Sequence, residues 1–364
     1  MKNIVLFGIG GYGAGYVRAL AQHGEEYGMR VVAAVDPYPP KEGFSAPVFD
    51  TAEDFYASGI RADLAVISTP ISLHEEMTVS AMRHGCDVLL EKPVSPDLAS
   101  AERILAASRE TGKMCSVGFQ LCFDASMRAL KRDIISGLYG KPVALKSITL
   151  WPRNFAYYKR GTGWAGRRTD AQGRLTLDSV ASNATAHYLM NMLWILGEDM
   201  EGASPLACTS CYTARANDIE TFDTVILEGL CRGIPVKYIA SHAVSESEVQ
   251  NPLMIYTFEK ATIVLAMEGN RNIYAFFRDG RTKVYPSVTV GDNDNDIKLR
   301  FMKDALSGEA PLPCPIECAM EHVRAMDYCN AAMPEVLPAT PNDARDGVYA
   351  KGLADRLREA FYGL

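Results

Sequence analysis

The chain has 364 residues, with 44 acidic against 37 basic side chains and a formal net charge of −7. That length allows two domains and a sizeable core, and 48% apolar residues is ordinary for a globular protein. The acidic balance argues against general nucleic-acid or acidic-membrane binding. No apolar run approaches the roughly twenty residues that span a bilayer. Nine irregularly spaced cysteines fit reduced thiols in a cytoplasmic protein.

Residues 1–21 imitate a secretion signal, with Lys2, an apolar stretch and Ala19-Leu20-Ala21. Glycines at 8, 10, 11, 13 and 15 break that stretch and Arg18 follows it, so secretion is not expected. Apolar runs recur at Ile4–Phe7, Val31–Val35, Leu64–Ile67, Val88–Leu90 and Met114–Val117, separated by amphipathic segments such as 73–84 and 97–111. Alternation of this kind predicts right-handed βαβ units and a parallel sheet. A further helix is expected over 124–137, a strand over 143–150 and an irregular Gly-, Arg- and aromatic-rich segment over 151–175. A helix follows at 180–196. Antiparallel strands are expected at 206–214, 221–229, 235–242, 253–258, 261–267 and 271–277, and helices at 296–307, 316–332 and 341–361. The fold class is α/β. A dinucleotide-type domain over 1–120 precedes an α+β domain over 121–340 with a large, open, mainly antiparallel sheet. The segment 341–364 is a candidate to pack back on the first domain.

Gly8-Ile9-Gly10-Gly11-Tyr12-Gly13 follows the first strand and opens a helix. Gly8 suits the tight turn, Gly10 lets the backbone approach a pyrophosphate, and Gly13 allows close helix–strand packing. The helix N-terminus adds free N–H groups and a positive dipole end. Asp36 closes the second strand, 23 residues after Gly13, where a carboxylate binds ribose hydroxyls and repels a 2′-phosphate. NAD is therefore favoured over NADP, although Lys41 lies close enough in sequence to reach a phosphate. Ser68-Thr69-Pro70 ends the third apolar run on the same sheet edge, and His74 lies a turn later, as cofactor contacts or as a cap. Glu91-Lys92-Pro93 ends the fourth, where open α/β sheets bind their ligands. Pro93 biases Lys92 toward an extended backbone.

On the helix 180–196, Asn183, His187 and Asn191 are spaced by four and share one face among apolar neighbours. Such a stripe needs partners or a wet cavity. Histidine suits proton transfer near neutral pH, and a lysine cation stabilises developing alkoxide charge. Lys92, His187 and Asn183 are the candidate catalytic residues, with the division between base and cation open because burial shifts a lysine pKa. Residues 151–174 carry six basic side chains against Asp170, interleaved with Trp151, Phe155, Tyr157, Tyr158 and Trp164. Aromatic faces with arginine forks suit a sugar, including one bearing a carboxylate. Arg153, Tyr158, Trp164 and Arg167 are the candidate substrate contacts, together with Gln120, Asn183 and His187. A solvated loop or a subunit contact is the competing explanation.

Two metal-like patterns are weak. Cys208-x-x-Cys211 and Cys314-x-x-x-Cys318 lack a convincing second ligand pair. The alternating acids Asp292, Asp294 and Asp296 have Ile297 where a calcium loop needs glycine and Lys303 where it needs glutamate, so a solvated turn is expected there.

Together these residues resemble the Gfo/Idh/MocA oxidoreductases (glucose–fructose oxidoreductase, inositol dehydrogenase and relatives). The resemblance rests on Gly8–Gly13, Thr69-Pro70 with His74, and Glu91-Lys92-Pro93. It extends to Val117-Gly118-Phe119-Gln120 with Phe123-Asp124, to Gly137–Pro142, and to His187 ten residues before Gly197. It implies a Rossmann domain, an open-sheet second domain, bound NAD(P), Glu91 among the cofactor contacts, homodimers or homotetramers through the sheet, and catalytic roles for Lys92 and His187. Asn183 stands where the family usually has Asp. Ile71 and Gln120 stand where Asn is frequent, and Leu121-Cys122 replaces a commonly basic pair. The expected activity is hydride transfer between NAD(P) and a secondary alcohol or ketone of a sugar, sugar acid or cyclitol. A cofactor-dependent sensor without turnover is the alternative, and Asn183 keeps it open.

Overall fold

The structure is a computed structural model that describes residues 1–39, 44–161, 163–266, 270–287, 294–342, 344 and 346–363. Lys41, Gly291 and Asp292 lie outside them. The chain divides into two compact units, Met1–Asp124 with Thr289–Met320, and Ala125–Val288 with Glu321–Leu364.

In the first unit, β1 (Lys2–Phe7), β2 (Met29–Val35), β3 (Val48–Phe49), β4 (Leu64–Ile67), β5 (Asp87–Leu90) and β6 (Cys115–Val117) form one sheet in the order β3-β2-β1-β4-β5-β6. Every pairing is parallel. The apolar runs form its centre because a parallel strand is buried on both faces, and all four residues of β4 are buried. Strand order reverses at β1 and β4, the switch point at which such sheets bind ligands. Helix ends are set locally. Asp97 accepts from Ser100 N at 2.8 Å to start Leu98–Thr111, and Gly112 ends it at φ 67°.

The helix Asp294–Leu306 joins this unit, although its place in the chain suggested the second. The reason lies at its start. Gly15 of the first helix, Gly13–His23, has no side chain, and a Cβ there would stand 2.3 Å from Asn295 Nδ2. Tyr27 donates to Asp296 Oδ2 at 2.8 Å, and burial together with that carboxylate raises the Tyr27 pKa above its ordinary value. Asp296 is thus a docking residue and not part of a solvated turn.

The second unit is built on nine strands: β7 (Pro142–Leu150), β8 (Ala207–Arg215), β9 (Thr224–Cys231), β10 (Ile234–Ser241), β11 (Gln250–Phe258), β12 (Ala261–Ala266), β13 (Ile273–Phe277), β14 (Thr282–Tyr285) and β15 (Glu335–Val336). Their order is β14-β13-β12-β11-β7-β10-β9-β8-β15. Pairing is antiparallel except for β7 with β10 and β8 with β15. β11 alternates buried and half-buried residues along its length, the signature of a sheet covered on one face.

The expected helix over 341–361 is instead a small pairing of Thr340–Pro341 with Val348–Tyr349, then Gly352 at φ 78° and a helix Leu353–Tyr362. That helix packs on the second unit's own sheet. Leu353, Ala354, Leu357 and Phe361 pack with Ile148, Leu150 and Ile239. Lys146 and Lys237 donate to the carbonyls of Phe361 and Ala360 at 2.8 and 2.9 Å, which satisfies the last turn. No helix among the described residues is long and apolar enough to cross a membrane.

Candidate functional site

In the first unit the glycine loop divides into a packed side and an open side. A Cβ on Gly8 would meet Ser68 O at 3.0 Å, and one on Gly13 would meet Gly8 O at 2.1 Å. Gly8 also holds φ 81°, a region costly for other residues. No atom stands within 4 Å of a Cβ built on Gly10 or Gly11. Ser68 Oγ donates to Gly8 O at 2.9 Å, which ties the end of β4 to the loop. The helix that follows has Tyr12 at its N-cap with no side-chain cap and no acid in its first turn. Asp36 accepts from Ile9 N at 2.9 Å through Oδ2 and from Tyr38 N at 2.8 Å through Oδ1. The carboxylate is fixed at the end of β2, and each oxygen keeps a second acceptor site.

Glu91 and Lys92 end β5 and have different surroundings. Glu91 is 5% exposed, and its Oε1 takes hydrogen bonds from Tyr16 Oη and from Lys298 Nζ at 2.5 Å. Lys298 is fully buried and also donates to Tyr12 Oη at 3.0 Å. Burial alone would lower its pKa, but the Glu91 carboxylate overrides burial and holds it above the ordinary lysine value. Gly118 makes room for this pair, since a Cβ there would lie 2.7 Å from Glu91 Oε1. Glu91, expected as a cofactor contact, forms a buried ion pair with Lys298 in this structure. Lys92 is half-buried, at the sheet edge, with its peptide to Pro93 cis.

His74 is likewise internal. Nδ1 lies 2.8 Å from Pro93 O and Nε2 lies 2.9 Å from Thr69 O, and the ring is 1% exposed. Burial lowers its pKa against the opposing effect of those carbonyls. The neutral ring has one N–H to donate to one of these two carbonyls, and His74 sits between the Thr69-Pro70 and Lys92-Pro93 turns. Thr69 Oγ1 is buried without a hydrogen-bond partner. Gln120, half-buried, opens a short turn over Gln120–Cys122.

In the second unit, the helix expected over 180–196 begins with a π turn, Val180–Ala184, and continues as an α-helix over Ala186–Ile195. Thr185 N bonds to Val180 O at 3.1 Å, the wide i+5 pattern. From Ser179 to Ile195 only Asn183, Ala184 and His187 are not buried. Asn191 does not continue their stripe. It is 0% exposed and accepts from Tyr256 Oη of β11 at 2.6 Å, inside the core. Asn183 Nδ2 donates to Asp178 Oδ1 at 2.9 Å, an acid that the motif reading missed because it lies outside the helix.

The basic segment is largely satisfied within itself. The Arg153 guanidinium lies 4.8 Å from the Tyr157 ring centre, and Arg160 lies 3.6 Å from Tyr157 and 4.7 Å from Trp164. Arg167 pairs with Glu220 at 3.2 Å and Arg174 with Asp170 at 2.8 Å. The Tyr158 hydroxyl and Arg153 Nε are buried without hydrogen-bond partners. Burial, with Asp223 nearby, raises the Tyr158 pKa well above its usual value. His242 Nδ1 lies 2.7 Å from Trp151 O, and burial followed by the Arg153 charge pushes its pKa down to about 3, so the ring is neutral. Among the described residues no group of three or more His, Cys, Asp or Glu is arranged to hold a metal ion.

Residues 2–119 match the family model described as the oxidoreductase family with an NAD-binding Rossmann fold. The matched family is Gfo/Idh/MocA, and the match spans the first domain only. Among its relatives is inositol 2-dehydrogenase of Renibacterium salmoninarum, 36% identical over 148 residues, which cover 39% of this chain and 44% of the relative. The inositol 2-dehydrogenase of Burkholderia cenocepacia is 30% identical over 210 residues, 55% of this chain and 56% of the relative. The chain thus spans about half the length of the curated relatives it matches. Two solved structures share the fold. The WlbA dehydrogenase of Bordetella pertussis, in complex with NADH and UDP-GlcNAcA, has a TM-score of 0.73 at 20% identity and covers 90% of this chain and 95% of its own. An oxidoreductase of Agrobacterium radiobacter, in complex with NAD+, L-tartaric acid and magnesium, has a TM-score of 0.72 at 15% identity, with 89% and 94% covered.

The Gfo/Idh/MocA domain is an NAD domain, and the residues here fit that cofactor. The open backbone at Gly10 and Gly11 and the bare helix N-terminus suit a pyrophosphate. The fixed Asp36 carboxylate suits ribose hydroxyls, and the buried Thr69 hydroxyl has bonding capacity to spare.

Proposed function

We propose that the protein is an NAD-dependent dehydrogenase acting on a secondary alcohol of a cyclitol, sugar or sugar acid. The observation that carries this reading is Lys92 at the carboxyl edge of a sheet whose domain belongs to an NAD-binding oxidoreductase family. The names of the inositol 2-dehydrogenase relatives and the sugar-acid nucleotide in the WlbA complex support the substrate class. Gly10, Gly11 and Asp36 hold the cofactor, and Asp36 disfavours the 2′-phosphate of NADP. NAD supplies the acceptor for a hydride from the carbinol carbon.

The chain's own residues manage the proton and the charge. His187, half-buried in the first turn of the α-helix that follows the π turn, takes the hydroxyl proton, and the Lys92 ammonium stabilises the alkoxide as its charge develops. Asn183 holds a neighbouring hydroxyl. Arg153, Tyr158, Trp164 and Arg167 belong to the substrate side, with Arg167 exchanging its Glu220 partner for substrate. A homo-oligomer assembled through the open sheet is part of the same proposal, and sedimentation of the purified chain measures it.

The test is incubation with NAD or NADP and a panel of cyclitols, sugars and sugar acids, following reduced-nicotinamide absorbance. Turnover with at least one panel member, reduced about a hundredfold or more in K92A and in H187A, is the expected result. Near-normal turnover in both variants would remove these two residues from the chemistry. Tight ligand binding with no absorbance change would mark a sensor.

A further inference from the structure

Among the described residues Cys208 and Cys211 belong to no group that could hold a metal, yet β8 brings them to one face. Residues three apart on a regular strand point to opposite faces. Here the register of β8 against β9 shifts between Cys208 and Ser210, so that Cys208 stands opposite Gly229 and Cys211 opposite Leu227. Those partners are two positions apart, so a bulge in β8 has turned both thiols to the same side. Tyr212, opposite Ile226, turns to the other side, where Arg356 of the last helix donates to its hydroxyl at 3.2 Å. Cys329, in the last turn of helix Ile316–Ala331, completes the thiol side. Cys211 Sγ donates to Cys329 Sγ at 3.7 Å across 118 positions of chain. Cys329 is 0% exposed, whereas Cys208 and Cys211 are half-buried.

We propose that Cys211 and Cys329 form a reversible dithiol–disulfide site oxidised by hydrogen peroxide, with Cys211 the attacking sulfur and Cys329 the resolving one. The proposal stands independently of the dehydrogenase reading. Peroxide reaches the half-buried sulfur before the buried one. A thiol is both a weak donor and a weak acceptor, so when Cys211 ionises, Cys329 turns its S–H toward the thiolate. That hydrogen bond holds the Cys211 pKa below the usual thiol value, against burial, and with burial it holds Cys329 protonated. The Cys211 thiolate attacks one peroxide oxygen. The O–O bond breaks, an S–O bond forms, and the second oxygen leaves as hydroxide and takes up the proton Cys211 had lost. Cys329 sulfur then attacks the sulfenic sulfur of Cys211. The S–S bond forms, the S–O bond breaks, and the Cys329 proton leaves with the hydroxide as water. Two thiols lose two electrons, and one peroxide becomes two waters. The same disulfide shields Cys211 from irreversible oxidation.

The test uses the full-length protein, reduced, freed of reductant and treated with hydrogen peroxide while folded. After an acid quench, free thiols are alkylated in denaturant, and the protein is digested without reduction for mass spectrometry. No Lys or Arg separates Cys208 from Cys211, so trypsin leaves them on one peptide, and C208S is mapped in parallel. The expected product in both proteins is a peptide carrying Cys211 joined to one carrying Cys329, two hydrogens lighter than their sum and released by dithiothreitol. In C329S, or in C329A if C329S does not fold, Cys211 lacks its resolving thiol. It is then expected to reach sulfinic acid at least about tenfold faster than in the wild type. A Cys208–Cys211 link in place of the Cys329 link, no link at all, or equal sulfinic acid formation in the wild type and the Cys329 variant overturns the proposal.

Discussion

Replacing Lys298 with methionine would leave Glu91 as a buried carboxylate with its ammonium gone. Lys298 is 0% exposed and Glu91 5%, and their 2.5 Å pairing is reinforced by the hydroxyls of Tyr16 and Tyr12 and by the Lys92 amide. Breaking a buried pair on one side costs about 3–5 kcal/mol, because the other charge is left uncompensated. For a unit of about 150 residues, each kcal/mol corresponds to roughly 2–4 °C, so K298M should lower the melting temperature by roughly 6–20 °C. The double variant E91Q/K298M removes both charges and should recover most of that loss. The pH dependence has a definite sign. The Lys298 pKa is raised on folding, so its contribution is full below the unfolded value of about 10.4 and fades as pH climbs beyond it. Thermal unfolding of wild type, K298M and the double variant from neutral to alkaline pH measures all three effects. A single variant that melts within about 2 °C of wild type, or a double variant no better than the single, would refute the assignment of this pair as the clamp of helix Asp294–Leu306.

The glycine loop separates binding from folding. G13A, whose Cβ would stand 2.1 Å from Gly8 O, should destabilise by about 1–3 kcal/mol. G10A, with nothing within 4 Å, should melt with the wild type yet weaken NADH about tenfold in titration calorimetry, and equal NADH affinity would reject the pyrophosphate role. His242 predicts acid sensitivity. Folding depresses its pKa to about 3, so its contribution is present above the unfolded value of about 6.5 and is lost as pH falls toward 3. Denaturant titrations should therefore show stability declining below about pH 6.5, less steeply in H242N, and parallel slopes would refute it.

The parallel sheet was legible because a strand buried on both faces must be an uninterrupted apolar run, as at Leu64–Ile67. β3 and β15 were not, since two residues carry no period. The parallel pairing of β7 with β10 was hidden for a different reason. Side-chain alternation reports burial and says nothing of a partner's direction. The helical stripe failed at Asn191 because spacing by four reports a shared helix face and says nothing of what covers it. His187 and Asn191 lie on one unbroken α-helix, and the amide oxygen of the buried Asn191 is met by Tyr256 from a strand 65 positions away. Asp178 and Lys298 were missed on similar grounds, as partners from outside any local motif.

The tripeptide Glu91-Lys92-Pro93 shows why a motif and a site are different objects. Successive residues at a strand end face opposite ways. Glu91 turns into the unit, where Tyr16, Lys298 and the missing Cβ of Gly118 define its place. Its Oε2 also lies 3.3 Å from the Lys92 amide, and His74 holds the following carbonyl of Pro93. Two residues that a motif reading assigns to the cofactor, Glu91 and His74, thus also hold the backbone on either side of Lys92. Their loss would displace Lys92 without removing any reacting group. In E91Q the proposed chemistry should survive with its rate lowered at unchanged pH dependence, whereas in K92A the chemistry itself is lost.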